Sequence, residues 1–135
     1  MAENKETYFW NSGGNLLNGT APIYLKNGGY VSSVENATAI VMPKSGSLAN
    51  LTVKLVSSTN GDASPGLGNF RKFTVRKNGV HTNVNVTITG TNVTGISTGG
   101  AKVHFNQFDV ITLEHQSSAN VTHDAIGVVC ASLAI

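Results

Sequence analysis

The sequence predicts an all-β domain, a jelly-roll or related sandwich of about eight antiparallel strands preceded by an N-terminal arm. Three observations predict it. The chain is crowded with Thr, Asn, Ser and 15 Gly, and few stretches carry the Ala, Leu, Glu and Lys that a surface helix prefers. Several runs alternate apolar and polar residues with a period of two, the mark of a strand with one buried face. Two such runs flank Asn78-Gly79, the strongest two-residue hairpin signal, because both central positions of a type I′ turn need positive φ.

Length and composition bound the rest. At 135 residues the chain fits one domain. Charged residues make up only 12% of it, so solubility comes from neutral polar groups. A net charge of +2 is too small for the field of a dedicated nucleic-acid binder. Cys130 is the only cysteine, which excludes an intrachain disulfide. Met1 to Thr7 is polar and is not followed by the apolar segment of a signal peptide, and no run approaches the ~20 apolar residues of a membrane-spanning helix. The expectation is synthesis in the cytosol of some cell, with no membrane partner.

Residues 1–34 read as the arm or as short strands, and 35–135 as the jelly-roll domain. The arm holds Tyr8-Phe9-Trp10, then the turn signals around Gly13-Gly14 and Gly28-Gly29. The aromatic triplet lacks the basic interleaving of a single-strand nucleic-acid platform and suits an anchor into a neighbour's apolar groove. Ala39 to Met42 forms a strand stopped by Pro43. In Leu48 to Val56, Leu51, Val53 and Leu55 alternate with Asn50, Thr52 and Lys54. A loop over 57–69 precedes Phe70 to Lys77, with Phe73 and Val75 on one face and Lys72, Thr74 and Arg76 on the other. After the hairpin, Val84, Val86 and Ile88 alternate with Asn85, Thr87 and Thr89. Short runs through Val93 and from Lys102 to Phe105 lead to a strand over Phe108 to Glu114, and a polar loop over 116–124 leads to the last strand.

That last segment, Ala125 to Ile135, carries no charge, and both of its alternating faces are apolar. A single sandwich covers one face of a strand and leaves the other to water. Val128, Val129, Ala131, Leu133 and Ile135 are therefore the candidate subunit-interface residues.

Arg71, Lys72, Arg76 and Lys77 are the one dense basic cluster, a candidate docking surface whose bland alternative is a solvated sheet face. His81, His104, His115 and His123, with Asp109 and Asp124, are the only conventional metal or acid–base set, and they lack HxH or HExxH pairing. Ordinary surface or interface roles are expected of them, so no catalytic residue, metal or cofactor is assigned. Cys130, in the most apolar strand, reads as a buried inert thiol. Six Asn-x-Ser/Thr triplets, at Asn18, Asn36, Asn50, Asn85, Asn92 and Asn120, read as a consequence of composition.

Val41-Met42-Pro43 with Leu48 to Val53, then Phe73 to Val80, Val84 to Ile88 and Phe108 to Ile111, resembles the jelly-roll modules of the trimeric tumour necrosis factor and complement-type heads. Such modules recur in phage and giant-virus decoration and fibre proteins and in bacterial exosporium proteins. The resemblance covers residues 37 to 135 and departs at Phe108-Asp109, where related modules often have Gly-Asp. It implies the fold and a homotrimer, and it transfers no catalytic residue. The functional expectation is a non-enzymatic structural subunit on the surface of a large particle, a virion decoration, cement or fibre-head protein made in a host cytoplasm, with exosporium or another extracellular surface as the alternative location. Its partners would be copies of itself and other particle or capsid proteins. A receptor- or glycan-binding module is the second reading and a cupin-like metal enzyme the third.

Overall fold

The computed structural model describes residues 5–12, 20–26, 30–57, 61–122 and 126–134. They form eleven strands: β1 (Lys5–Asn11), β2 (Ile23–Lys26), β3 (Tyr30–Ser32), β4 (Ile40–Val41), β5 (Gly46–Val56), β6 (Gly66–Lys77), β7 (Val80–Gly90), β8 (Thr94–Ile96), β9 (Lys102–Phe105), β10 (Val110–Ser117) and β11 (Ile126–Ala134). One turn of 3₁₀ helix, Glu35–Thr38, is the only helical element among the described residues. No described helix is long and apolar enough to cross a membrane.

The pairing is nested and antiparallel: β1 with β11, β2 with β10, β5 with β8 and β9, and β6 with β7. This winding of first strand onto last and second onto second-last is the topology of a jelly roll. It gives two sheets, β1-β11-β5-β8 and β2-β10-β6-β7, bridged by the single pair Asn11 and Lys26. Trp10, Leu48, Leu51, Val53 and Phe105 from the first sheet and Leu25, Phe73, Val75, Val86, Ile111 and Leu113 from the second form one buried core between them. Residues 1–34, set apart above as an arm or short strands, supply β1 and β2, which are inner members of the strand order.

The predicted alternations hold. Leu51, Val53 and Leu55 are buried and Thr52 and Lys54 exposed; Val84, Val86 and Ile88 are buried and Thr87 and Thr89 exposed. Asn78 and Gly79 have φ of 51° and 79°, as a type I′ turn requires. One irregularity was not foreseen. Asn50 and Leu51 together stand opposite Ala131, and Asn50 takes φ 57°, so a bulge brings Leu48 and Leu51 to the core although they are three residues apart. The strand expected from Phe108 begins at Val110, because Asn106–Asp109 closes a turn through the Asp109 N–H donating to the Asn106 carbonyl at 3.1 Å. The loop expected over 57–69 ends earlier, at Gly66, where β6 starts.

Candidate interaction surfaces

β11 lies between β1 and β5, so the strand that is uncharged in both alternations is an inner strand of its sheet. Register sorts its residues into two sets. Val129 is opposite Trp10 on one side and Val53 on the other, and Leu133 is opposite Leu48; these neighbours are buried in the core. Cys130 is opposite Phe9 and Thr52, and Val128 opposite Asn11 and Lys54; Phe9, Thr52 and Lys54 are exposed. Val129 and Leu133 are thus paired with positions that are buried in the core, and Val128 and Cys130 with positions that are mostly exposed. Ile135 lies outside the described residues.

The aromatic triplet divides in the same way. Trp10 is 1% exposed within this chain's own core, so it is not an anchor into a neighbour, and Tyr8 packs beside it with ring centroids 6.5 Å apart. Phe9, on the opposite face of β1, is 56% exposed. Alternation along a strand decides this, since neighbours in sequence point to opposite faces.

The basic cluster does not exist as a surface. Arg71 shares the inward parity of Phe73 and Val75 and is fully buried, its Nη1 donating to His115 Nε2 at 3.0 Å. His115 is also buried, against the Phe73 ring at 5.2 Å. Burial, and then the Arg71 guanidinium, push the His115 pKa down to about 3, so the imidazole is neutral and keeps its proton on Nδ1. Arg76 is on the other face, held by Glu35 at 2.7 Å and Glu114 at 3.1 Å. Lys77 Nζ donates to the His104 carbonyl at 2.9 Å, and Lys72 alone of the four is both exposed and on the open face of β6. The signal for this division was present in the sequence: a residue two before Phe73 on an alternating strand belongs to the core side.

Glu114 organises the outer face of the second sheet. It is buried, receives Arg76, and bonds His81 Nε2 at 2.9 Å. Its cross-strand neighbours Tyr24 and Thr74 are buried too, and burial together with the Glu35 carboxylate raises the Tyr24 pKa. Sequence reasoning missed this cluster, whose members lie on β2, β6, β7, β10 and the 3₁₀ turn.

The described histidines occupy three separate places: His81 beside Glu114, exposed His104 on β9 with Nδ1 2.5 Å from Ser47 Oγ, and His115 in the core. His123 and Asp124 lie outside the described residues. Asp109 accepts from Asn78 Nδ2 at 3.0 Å and from the Asn106 N–H at 2.8 Å, and these bonds, the Asn78 side chain first, hold its carboxyl below the usual range. Among the described residues no three His, Cys, Asp or Glu side chains gather as a metal ion would need. Of the triplet asparagines, Asn36, Asn50, Asn92 and Asn120 are exposed, Asn85 is half-buried, and Asn18 lies outside the described residues.

The exposed large hydrophobic residues concentrate at the two ends of the sandwich. Val34, Val41, Val80 and Phe108 are at the end marked by the Asn78-Gly79 turn; Val56, Leu67 and Phe70 are at the other, near the Gly90 turn; Phe9 and Ile96 lie between. Phe108 is 74% exposed and has φ 75°, a conformation that costs a bulky residue on the order of 1 kcal/mol or more. Its N–H donates to the Met42 carbonyl at 2.8 Å, the Met42 N–H donates to the Asp109 carbonyl at 2.8 Å, and Asn78 Oδ1 accepts from the Val110 N–H at 2.9 Å. Three segments therefore fix this turn. At the opposite end Leu55, Val56, Ala63 and Val93, with Lys54 and Asp62, line a cleft of about 310 Å³.

No family model matches the chain, and no curated protein matches it. Among solved structures, that of the giant freshwater prawn Macrobrachium rosenbergii extra small virus (XSV) VLP is similar at 5% identity over 98% of this chain and 80% of that chain, with a TM-score of 0.35.

Proposed function

We propose that the chain is a structural subunit that acts by packing, through the outer face of its β1-β11-β5-β8 sheet, into a closed oligomer that decorates or caps a larger particle such as a virion. The observation that carries this reading is the place of β11. An inner strand without a single charge has Val128 paired with Asn11 and exposed Lys54, and Cys130 paired with exposed Phe9 and Thr52. Uncovered, such a stripe is the kind of apolar patch that soluble monomers avoid, and symmetry supplies cover by bringing the same strand from each copy around one axis. A trimer is the number that the head-like resemblance implies. The function is grafted on the fold and does not follow from it.

Light scattering on the purified protein tests the reading. The expected mass is a fixed multiple of 14.1 kDa that persists on dilution to micromolar concentration. A 14.1-kDa species at every concentration removes the proposal.

A further inference from the structure

β7 ends its sheet. Among the described residues it pairs with β6 alone and spans 11 residues, whereas the other strands with a single partner strand, β3, β4, β8 and β9, have four residues or fewer. Short length, Pro and charged side chains are what keep sheet edges from pairing with other chains. From Val80 to Gly90 there is no Pro, Lys, Arg, Asp or Glu. The one protective device is an irregularity in the pairing with β6 between His81 and Asn85, and from Asn85 to Thr89 the register is continuous.

The direction of the backbone groups in that stretch follows from β6. Phe70 points both of its groups to the β10 side: its N–H donates to Ser118 Oγ at 3.1 Å, and its carbonyl accepts the Ser118 N–H at 3.1 Å. Antiparallel bonding alternates, so Arg71 and Phe73 exchange bonds with Ile88 and Val86, and Asn85, Thr87 and Thr89 aim their N–H and carbonyl groups off the edge. The Thr89 carbonyl takes the Asn92 N–H at 3.2 Å, and no described strand meets the other groups. Such groups are satisfied by water or by another strand.

The stretch is complementary to itself. Asn85-Val86-Thr87-Ile88-Thr89 has the same order of polar and β-branched aliphatic residues from either end about Thr87. Antiparallel pairing with a second copy about a two-fold axis at Thr87 sets Thr87 against Thr87, Asn85 against Thr89 and Val86 against Ile88. Polar then faces polar, aliphatic faces aliphatic, and no charges are opposed. Lys72, opposite Thr87 within the chain, is held about 14 Å from its counterpart, three strand spacings and beyond the ~10 Å screening length at 0.1 M salt. We propose that two copies of this chain join edge to edge through β7, Asn85 to Thr89 pairing antiparallel about Thr87, so that the β2-β10-β6-β7 sheet runs on into the second copy. Val86 and Ile88 are already buried in the single chain, so the contact rests on backbone bonds and forms above micromolar concentration. It is isologous and uses a different sheet from the outer face of β11, and it stands whether or not that face packs.

Sedimentation velocity from micromolar to millimolar concentration at low salt, with thermal melts, tests the proposal. The readout is growth beyond the mass present at micromolar concentration, so packing through β11 does not enter it. The wild type should grow. Thr87→Lys and Thr87→Glu change an exposed side chain and should keep Tm within a few degrees. Each sets like charges against one another across the two-fold axis and should weaken the growth on the order of 10-fold or more. Mixed in equal amounts, the two variants set lysine against glutamate and should recover the growth of the wild type. A wild type that does not grow, variants that grow as it does, or a mixture that stays at its micromolar mass overturns the proposal.

Discussion

The outer faces of the two sheets meet water on opposite terms. On the β2-β10-β6-β7 sheet the outward row Tyr24, Glu114 and Thr74 is polar and yet buried, because the Glu35–Thr38 turn and its flanking residues cross it and Glu35 is tied to Arg76. On the β1-β11-β5-β8 sheet the outward rows hold Phe9, Thr52 and Lys54, which are exposed, beside the uncharged Val128 and Cys130 positions. The first face is polar and satisfied within the chain. The second places exposed positions of β1 and β5 on either side of an uncharged strand. A buried polar row shows where a chain supplies its own cover, and the uncharged inner strand of the other sheet is where the proposed packing would supply it.

The largest single effect should fall on the covered face. Glu114→Ala leaves Arg76 without its buried partner and should cost about 3 kcal/mol in urea unfolding, whereas Thr52→Ala on the bare face should change stability by less than ~0.5 kcal/mol. Equal effects would erase the contrast between the faces. A second, smaller effect comes from between the sheets. The folded pKa of His115 is about 3 and its unfolded value about 6.5, so the folded state binds fewer protons, and its contribution to stability is complete above pH 6.5 and lost as pH falls toward 3. From pH 7 to pH 5 the loss attributable to His115 should be roughly 2 kcal/mol, read as the part of the pH slope that disappears in His115→Gln. A His115→Gln slope identical to that of the wild type would contradict the buried neutral imidazole.

What was legible in the sequence was local. The Asn78-Gly79 turn and the alternations of β5 and β7 are written in neighbouring residues, and they carry the sandwich class. Parity along β6 also separates Arg71 from Lys72, although grouping them by charge hides it. Three things were not legible. The cover over Tyr24 and Glu114 depends on the 3₁₀ turn being tied across strands distant in sequence. The bulge at Asn50 shifts β5 by one residue against β11, and only the pairing reveals which rows of β11 face the core. The Phe108 turn is set by hydrogen bonds from Met42 and Asn78, 66 and 30 residues away in sequence, so an alternating run was extended two residues too far.

The central claim, that one face of β11 builds the fold and the other builds the assembly, is tested most directly by placing a lysine in each row. Val129→Lys puts a charge in the row of Trp10 and Val53 and should abolish the folded circular-dichroism signal and cooperative melt. Val128→Lys puts it in the row of Asn11 and Lys54 and should leave the melt within a few degrees of its parent while light scattering falls to 14.1 kDa. Val128→Lys that keeps the oligomeric mass of its parent, or Val129→Lys that folds, would contradict the account.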